Sequence, residues 1–595
     1  MRLRPSTAAF AAFAALFAAL AVFVFWGTWG LDAAPVMPDC PVWHPQDHLA
    51  RWFAGWLESG KFVPGDVKEF LGSPYFWQEL QYAAALFFAA LGAAYFLKGR
   101  GLSRASSYGA GLLLAFCGYW CSLFSAGHLG WFRWMTYGVF AFALADRAAR
   151  KGKPRHWIFL GATLAWGSFY QPDLWLLFTV FTAAYFLFAS VKTFIEAKRC
   201  GDARGFVLSR ALGALGALAV FAAIGFPSFR SAIVNDLAGR DSQISSGETL
   251  PGGALNQAER RWIFVTNWSM PPEDTLEFVV PRIHGDTSCP NVLSLGARQG
   301  SGVKPYTGRL GRPYGADKGN YRQHSLYVGW VTCVLAVLGT VYFRRLAEVR
   351  FFAAAAAVFW LFSMGRHCEP IYRLVYALPM GDYLRAPVKW HHLTEFCICM
   401  LAGWGLESVY RLLAAKGVKR GTAACAVFAV AVFGACDLAR VDRLYLAVMD
   451  ISAVRGRNDA ADDVKSLGGG KVADFIEGGY GLAAWSFASK GIEMSADPAG
   501  ARFLWMPVAH AAAAGSRLKA AGFEMAGTYD ITTGGIRRSA RGRAVLYFSR
   551  NVKTPVAEKK SEGAFPATGA VSASVTLAVV FGGMAAFFVR MRRRP

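Results

Sequence analysis

Residues 44–62, HPQDHLARWFAGWLESGKF, place an acid and a histidine at the start of an aromatic helical pattern. Asp47 and His48 precede apolar side chains that recur three and four residues apart, which predicts a helix lying in a membrane interface. These side chains are Leu49, Trp52, Phe53, Trp56 and Leu57. A carboxylate at a helix start can cap free backbone amides, and it can also act as a general base. Asp47 is a candidate for both roles, with His48 as its assistant and Asp32 and Asp39 as competing acids.

A second group of reactive side chains lies in residues 365–392, where the stretch YLRAPVKWHH leads directly into an apolar run. The basic residues of this segment are Arg366, His367, Arg373, Arg385, Lys389, His391 and His392. Arg, Lys and His can all bind phosphate, and basic residues at the mouth of a membrane span are often functional. The alternative is that Arg385 and Lys389 extend to lipid head groups. Either way, we expect a cationic surface suited to anionic lipid.

Further polar residues lie at the ends of other apolar runs, on the same predicted side. They are His128, Gln171, Asp173, Glu273, Asp274, His284, Asp286, Gln323 and His324. If the helices form a bundle, all of them should face one cavity, although each alone can equally be a cap or a buried structural residue. The sequence WHHLTE offers His391, His392 and Glu395, but adjacent histidines on a helix point about 100° apart. No metal site is therefore predicted, and a divalent cation stays an open question.

The composition indicates a polytopic membrane protein. Of the 595 residues, 54% are hydrophobic and only 17% are charged. The net charge of +24 would suggest a nucleic-acid partner in a soluble chain. Here the basic residues lie in short loops between apolar runs, as on the cytoplasmic face of membrane proteins, so no nucleic acid is expected. The eleven cysteines form no CxxC pair, and a disulfide among Cys40, Cys289 and Cys368 stays open.

Hydropathy predicts about twelve membrane spans, with the first one retained rather than cleaved as a signal peptide. They lie at 8–29, 80–97, 107–125, 131–146, 156–169, 173–193, 207–227, 325–343, 351–364, 390–408, 420–437 and 571–591. Every second loop is basic, from KGRGLSR to the final RMRRRP. The positive-inside rule therefore predicts that both termini are cytoplasmic and that the large loops 30–79 and 228–324 are external.

The predicted fold class is mainly α: a polytopic transmembrane helical bundle with an external α/β domain. The transmembrane module comprises residues 1–437, and residues 571–595 form a C-terminal anchor with a basic tail. Between them, residues 438–570 alternate short apolar runs such as KVADFI and AVLYFS with the Ala-rich, helix-like stretch ARFLWMPVAHAAAAGSRLKAAGF. This alternation predicts a small external soluble domain of α/β or α+β type. Walker A and GxSxG motifs are absent from the sequence.

Four stretches between about residues 120 and 410 resemble, in order, those of YfhO-type bacterial membrane proteins. They are SAGHLGWFRWMTYGVFAFALADRAARKG, NWSMPPEDTLEFVVPRIHGD, SLYVGWVTCVLAVLG and MGDYLRAPVKWHHLTEFCICMLAGWGLE. An acid in the first external loop, followed by an interfacial helix, resembles the GT-C superfamily of polytopic glycosyltransferases. In that superfamily such an acid is the usual catalytic base. The first loop here lacks the GD-x-x-x-Q form that is common in the YfhO-type family.

The resemblance implies a hexosyltransferase that takes a sugar from a polyprenyl-phosphate carrier. The acceptor would be a glycan, lipid or polymer of the cell envelope on the outer face of the cytoplasmic (inner) membrane. Asp47 would be the base, with His48 and Asp32 as further catalytic candidates. The candidate substrate-binding residues are Arg385, Lys389, His391, Arg366, His128, Gln171 and His284. No cofactor is certain, and some GT-C enzymes use a divalent ion.

Two alternatives belong to other functional classes. A transporter or lipid flippase of envelope precursors would need ionisable residues at mid-span and two related halves, and the sequence shows few of the former and no clear repeat. A non-catalytic membrane scaffold would bind a partner through its external regions and would tolerate the loss of every acid.

Overall fold

The computed structural model describes residues 5–25, 33–35, 74–126, 129–168, 172–231, 256–285, 306–307, 325–378, 381–446, 448–450, 457–474, 487, 492, 494–495, 501–532, 535–540 and 544–549. Of these residues 76% are helical, which confirms the mainly α architecture, and a small sheet lies near the C-terminal end.

The first 446 residues contain fourteen α-helices within the described ranges, together with one short strand, β1 at Ala33–Pro35. The helices are α1 Pro5–Phe25, α2 Pro74–Gly99, α3 Arg104–Ala115, α4 Gly118–Ala126, α5 Leu129–Lys151, α6 Pro154–Ser168, α7 Pro172–Arg199, α8 Ala203–Ser231, α9 Gln257–Val265, α10 Trp330–Tyr342, α11 Ala347–Ser363, α12 Glu369–Tyr376, α13 His391–Ala415 and α14 Arg420–Tyr445.

Seven helical segments among the described residues are long and apolar enough to cross a membrane. They are Thr7–Phe25, Tyr82–Gly99, Arg104–Phe124, Leu174–Arg199, Ala203–Phe226, Pro387–Ala415 and Arg420–Tyr445. The bent pair α11 and α12, which meet at 113°, gives up to eight. These helices indicate a membrane protein, but the predicted count of about twelve spans is not confirmed. The predicted spans 131–146 and 156–169 do form helices, α5 and α6, but α6 has only 15 residues, and 571–591 lies outside the described residues.

The broken helix α3–α4 runs antiparallel to α13. Their contacts advance in opposite directions along the two chains, from Ser106 with Glu407, through the Cys117 and Cys399 thiols at 3.3 Å, to Tyr119 beside Glu395. An aromatic core fills the middle of the bundle next to this pair. It contains Phe96, Phe142, Tyr185, Phe352, Phe396 and Trp404, with neighbouring ring centres 4.4–6.4 Å apart.

One end of the bundle is held by buried charges, which we call the ion-pair layer. Asp146 on α5 accepts hydrogen bonds from Arg100 at 3.2 Å, from Tyr185 on α7 at 3.1 Å and from Arg150 at 2.5 Å. Arg100 also pairs with Glu348 at the start of α11. A carboxylate removed from water is stable only when such partners compensate its lost hydration. These contacts therefore bring together the ends of α2 and α5, the middle of α7 and the start of α11.

Two further contacts extend the ion-pair layer. Lys192 on α7 donates to Glu348 at 2.8 Å. Glu407 on α13 accepts the backbone amide of Ser103, at the N-cap of α3, at 2.8 Å, together with the Ser106 hydroxyl at 3.2 Å. The basic turns of the sequence near these residues therefore lie at one end of the bundle, and the side of the membrane that they face stays a prediction.

The chain is not helical over residues 325–329, although the sequence predicts a span over 325–343. This buried segment is extended because its backbone bonds to other elements: Gly118 donates to the Tyr327 carbonyl at 2.8 Å, and Val328 and Gly329 donate to the Phe278 carbonyl. A Cβ atom on Gly118 would come within 2.8 Å of the Tyr327 oxygen. Only glycine permits this approach of α4 to the extended segment.

The C-terminal region forms a mixed seven-stranded sheet in the order β3-β8-β7-β9-β6-β4-β5, after a separate short strand, β2 at Val448–Asp450. The sheet strands are β3 Arg457–Asn458, β4 Val472–Asp474, β5 Met494–Ser495, β6 Phe503–Pro507, β7 Phe523–Thr532, β8 Gly535–Arg538 and β9 Ala544–Ser549. Two helices, α15 Asp459–Ser466 and α16 Val508–Ala520, accompany it. The runs KVADFI and AVLYFS supply β4 and β9 as predicted. FLWMP forms strand β6, because it is hydrogen-bonded on both sides, by β4 and β9.

Two short strands that are far apart in the sequence pair with each other. Strand β1, in the first large loop, pairs antiparallel with β2, with Ala33 opposite Asp450 and Pro35 opposite Val448. Since β2 follows α14 closely, the first loop returns to the end of the bundle at which α14 finishes.

We expect the ion-pair layer to contribute strongly to stability. Asp146→Asn leaves Arg100 and Arg150 without their shared carboxylate and should destabilise the fold by about 3 kcal/mol. Thermal unfolding of the purified full chain in detergent measures this effect as a lower melting temperature. Glu369→Gln is the matched control, because its pair with Arg373 is 51% exposed on both sides and should contribute less than about 1 kcal/mol. Equal shifts for the two variants would contradict a structural role for the layer.

Candidate functional site

A group of buried polar side chains lies at the other end of the bundle, where α4, the start of α13 and the end of α14 meet. The segments 256–285 and 325–329 close this region, which we call the junction. Ser122 on α4 donates to the Ser325 carbonyl at 2.8 Å, and the Phe278 ring lies 4.5 Å from that of His391. The junction therefore unites regions that are distant in the sequence.

The first turns of α13 and the short turn before it carry four buried ionisable residues. The exposed fraction is 5% for Lys389, 0% for His391, 6% for His392 and 1% for Glu395. Side chains of these types are rarely so deeply buried, and transmembrane ionisable residues mark functional sites by default. The sequence analysis expected Lys389, His391 and His392 on a cationic surface, whereas the structure buries all three side chains.

Glu395 joins α13 to the start of α4. Its carboxylate accepts the Tyr119 backbone amide at 3.0 Å and lies 3.6 Å from His391 Nε2. The first amides of a helix have no partner within that helix, so the break at Cys117 creates a donor that an acid can satisfy. The Tyr119 ring also packs across both histidines, 5.3 Å from His391 and 4.3 Å from His392. Glu395 and the Tyr119 ring thus hold the first turn of α13, with its two histidines, against the start of α4.

Asp442 is a buried acid that the sequence analysis did not select. It is fully buried on α14, and neither carboxylate oxygen has a hydrogen-bond partner among the described residues. It also lies close enough to Glu395 for the two charges to repel each other. A buried carboxylate without partners is costly, so its retention points to a functional role. The prediction ended this span at residue 437, whereas α14 continues to Tyr445 because Leu438, Val441 and Tyr445 are buried.

Arg385 lies between two aromatic rings of the segment 256–285. Its guanidinium carbon is 4.4 Å from the Phe264 ring centre and 4.3 Å from that of Trp268. A planar guanidinium stacked in this way keeps its charge and its fork of donors in a fixed plane. This geometry fits phosphate binding better than a flexible side chain extending to lipid head groups.

We call Arg385 and the two rings that enclose it, those of Phe264 and Trp268, the arginine clamp. The backbone is strained at Trp268 and at Ala386, the residue after Arg385. Trp268 has φ 57° and Ala386 has φ 65°, a left-handed conformation that non-glycine residues rarely adopt. Two hydrogen bonds maintain it, from Ala386 to the Val265 carbonyl and from Val388 to the Trp268 carbonyl, both at 3.2 Å. Backbone strain of this kind is concentrated at ligand-binding and active sites.

Two of the predicted substrate-binding residues, Arg366 and His284, contact backbone carbonyl groups. Arg366 donates through Nε and Nη2 to the Thr266 carbonyl at 3.1 and 2.7 Å. His284 Nε2 lies 3.2 Å from the Glu273 carbonyl. Both side chains brace the segment 256–285, and this gives them a positioning role at the edge of the junction. Asp274 belongs to the same scaffold, because it accepts the Tyr306 hydroxyl at 3.0 Å.

Several predicted site residues lie outside the described residues: Asp47, His48, Asp32, Asp39, His128, Gln171, Asp286, Gln323 and His324. Of the possible disulfide partners, Cys368 is half-buried, and Cys40 and Cys289 also lie outside the described residues. In the described part of the chain, no group of three or more His, Cys, Asp or Glu side chains is arranged to hold a metal ion.

A scan of protein-family models matched none to this chain, and a search of curated proteins found no related sequence. What the junction can do chemically follows from its own side chains. Arg385 and Lys389 can neutralise an anionic group such as a phosphate. Glu395 and Asp442 are carboxylates that can hold or accept a proton, in a place from which water is largely excluded.

Gly365 packs between Ser269, the residue after Trp268, and Pro387, the residue after Ala386. It has φ 48°, and an added Cβ would collide with the Ser269 hydroxyl and approach Pro387 Cγ to 2.5 Å. We expect Gly365→Ala to lower the melting temperature markedly, since neither the turn nor the proline ring can yield without moving Arg385.

Gly417→Ala is the control for this variant, because Gly417 has φ 81° but no atom within 4 Å of an added Cβ. It should cost only the conformational penalty, about 1 kcal/mol. Equal melting temperatures for the two variants would mean that the close packing at Gly365 is unimportant.

Proposed function

We propose that this chain is an integral membrane glycosyltransferase of the GT-C type, transferring a sugar from a polyprenyl phosphate to an envelope acceptor. The observation that carries the proposal is the cluster of buried ionisable side chains at the junction, which includes Asp442, an acid whose carboxylate has no hydrogen-bond partner among the described residues. An enzyme whose donor lipid and acceptor meet at a membrane face needs its reactive groups at that face. The resemblance of residues 120–410 to YfhO-type proteins supports the same assignment.

The apolar middle of the bundle argues against the transporter and flippase alternatives. On α13 the residues between Glu395 and Glu407, FCICMLAGWGL, carry no charge over about 18 Å. The other membrane-length helices that the structure describes likewise lack charged side chains in their middle turns. Transporters generally bind their substrates and ions near the midplane. The middle of the bundle is filled by the aromatic core here.

The route of the first loop supports a contribution from its acids. Helix α1 ends at Phe25, whose ring lies 6.0 Å from Trp120 and 5.3 Å from Phe124 on α4, beside the junction. The loop then returns as β1 to pair with β2, just beyond the end of α14. Asp32 directly precedes β1, and Asp47 follows it. We therefore infer that a base from this loop acts at the junction.

The chemistry assigns one task to each group. Asp47 takes the proton from an acceptor hydroxyl as its oxygen bonds to the anomeric carbon of the sugar. The bond between that carbon and the phosphate oxygen breaks, and the lipid phosphate leaves with the electron pair. Arg385 and Lys389 stabilise the negative charge that grows on this phosphate. The burial of Lys389 strengthens its effect, because there is little water to screen its charge.

Asp47→Asn should abolish sugar transfer, because the amide cannot accept the proton. The measurement is mass spectrometry of membrane and envelope glycans from cells that produce each variant, with immunoblotting to verify equal protein levels. Asp32→Asn is the matched comparison from the same loop. A glycan that depends on the protein but survives Asp47→Asn and disappears with Asp32→Asn would transfer the role of base to Asp32. If no glycan depends on the protein, the proposed function is wrong.

Arg385→Lys keeps the positive charge but loses the planar stack between Phe264 and Trp268. We expect a loss of transfer of about tenfold, since a lysine cannot present the same fixed fork to a phosphate. Arg411→Lys is the control, because Arg411 also lies over an aromatic ring, that of Phe343 at 5.0 Å, but at the opposite end of the bundle. Transfer assays in isolated membranes with a polyprenyl-phosphate sugar measure both. Equal activities for the two variants would contradict a phosphate-binding role for Arg385.

A further inference from the structure

A lateral groove opens on the side of the bundle, away from the junction. It has a volume of about 880 Å³ and runs between α1, α2, α3, α5 and α6. Its walls are mainly apolar and aromatic, and they include Phe10, Phe88, Tyr95, Tyr108, Phe140 and Trp166. Several of these rings are substantially exposed, with 48% of Phe88 and 40% of Phe10 uncovered. An apolar groove on a membrane-crossing helix bundle faces lipid rather than water.

The groove is basic at one end only. Lys98, in the last turn of α2, and Arg104, at the start of α3, line it and are exposed. Arg147 adds a positive charge near the same end, since its guanidinium carbon lies 3.6 Å from the centre of the Tyr95 ring. None of the described lining residues is acidic. The basic end lies at the level of the ion-pair layer, where the helix ends meet the aqueous phase.

The length of the groove matches one leaflet of a bilayer. From Phe88 to Lys98 the lining follows α2 for about 15 Å, which is half of a hydrocarbon core of roughly 30 Å. The apolar walls therefore begin near the midplane and finish at the head-group level, where the cations lie. A phospholipid has the same order of parts: acyl chains near the midplane and a charged phosphate at the surface.

We propose that this groove binds an anionic phospholipid of the leaflet next to the ion-pair layer. The acyl chains lie on the aromatic walls, and Lys98 and Arg104 bind the head group. An ordinary phospholipid fits better than a long polyprenyl phosphate, whose chain would extend past the end of the groove at Phe88. This site is independent of the proposed glycosyl transfer, because it lies at the opposite end from Arg385 and Lys389.

The test measures lipid binding to the purified full chain by native mass spectrometry. Phosphatidylglycerol, phosphatidylcholine and a long polyprenyl phosphate are added separately to delipidated protein. We expect phosphatidylglycerol to bind at least about tenfold more tightly than phosphatidylcholine, as two cations near a membrane surface provide. The double variant Lys98→Gln/Arg104→Gln should lose most of that preference without a change in melting temperature.

The control double variant is Arg344→Gln/Arg345→Gln. It removes two exposed cations from the turn between α10 and α11, at the same end of the bundle but outside the groove. It should keep the preference for phosphatidylglycerol. The proposal is overturned if both double variants lose the preference equally, or if the natural chain does not discriminate between the phospholipids. Displacement of phosphatidylglycerol by an equal amount of the polyprenyl phosphate would also overturn it.

Discussion

Buried charges need oppositely charged partners, and this requirement determines how the helices meet at one end of the bundle. Asp146 and Glu348 cannot remain in an apolar interior unless cations from other helices reach them, and Arg100 reaches both. The ends of α2 and α5 and the start of α11 must therefore lie at the same level. Because helices are rigid and have fixed lengths, this level also determines where the opposite ends of α3–α4, α13 and α14 lie. The junction forms at those opposite ends.

The junction depends on the interruption of a helix inside the protein. Non-helical backbone is tolerated at membrane depth only where other protein groups satisfy it. At the break after Cys117, the Gly118 amide donates to Tyr327 and the Tyr119 amide to Glu395. The extended segment 325–329 enters the bundle to supply the first of these acceptors. The acid and the broken helix thus come together because the Glu395 carboxylate accepts an amide that the break leaves without a partner within its helix.

The sequence was sufficient for features that repeat along the chain. Hydropathy and basic turns predicted most of the bundle helices, and the cationic run before α13 includes side chains that the structure buries at the junction. Contacts between residues that are far apart in the sequence could not be predicted from it. Hydropathy averages treated 325–329 as the start of a helix, because its residues are as apolar as those that follow. Asp442 was missed for the same reason: an acid at the predicted edge of a span resembles a loop residue until α14 is seen to continue past it.

The junction contains features that lower the stability of the fold. The left-handed Ala386 and Trp268 and the buried Asp442 all oppose folding locally. Such features persist only when the surrounding structure provides enough stability to hold them. The ion-pair layer and the aromatic core supply that stability from outside the site, and neither needs the strained residues in order to pack. A chain selected for stability alone would have no reason to keep them. Their concentration around Arg385, Lys389 and Glu395 therefore supports a site that acts on a ligand rather than a purely structural contact.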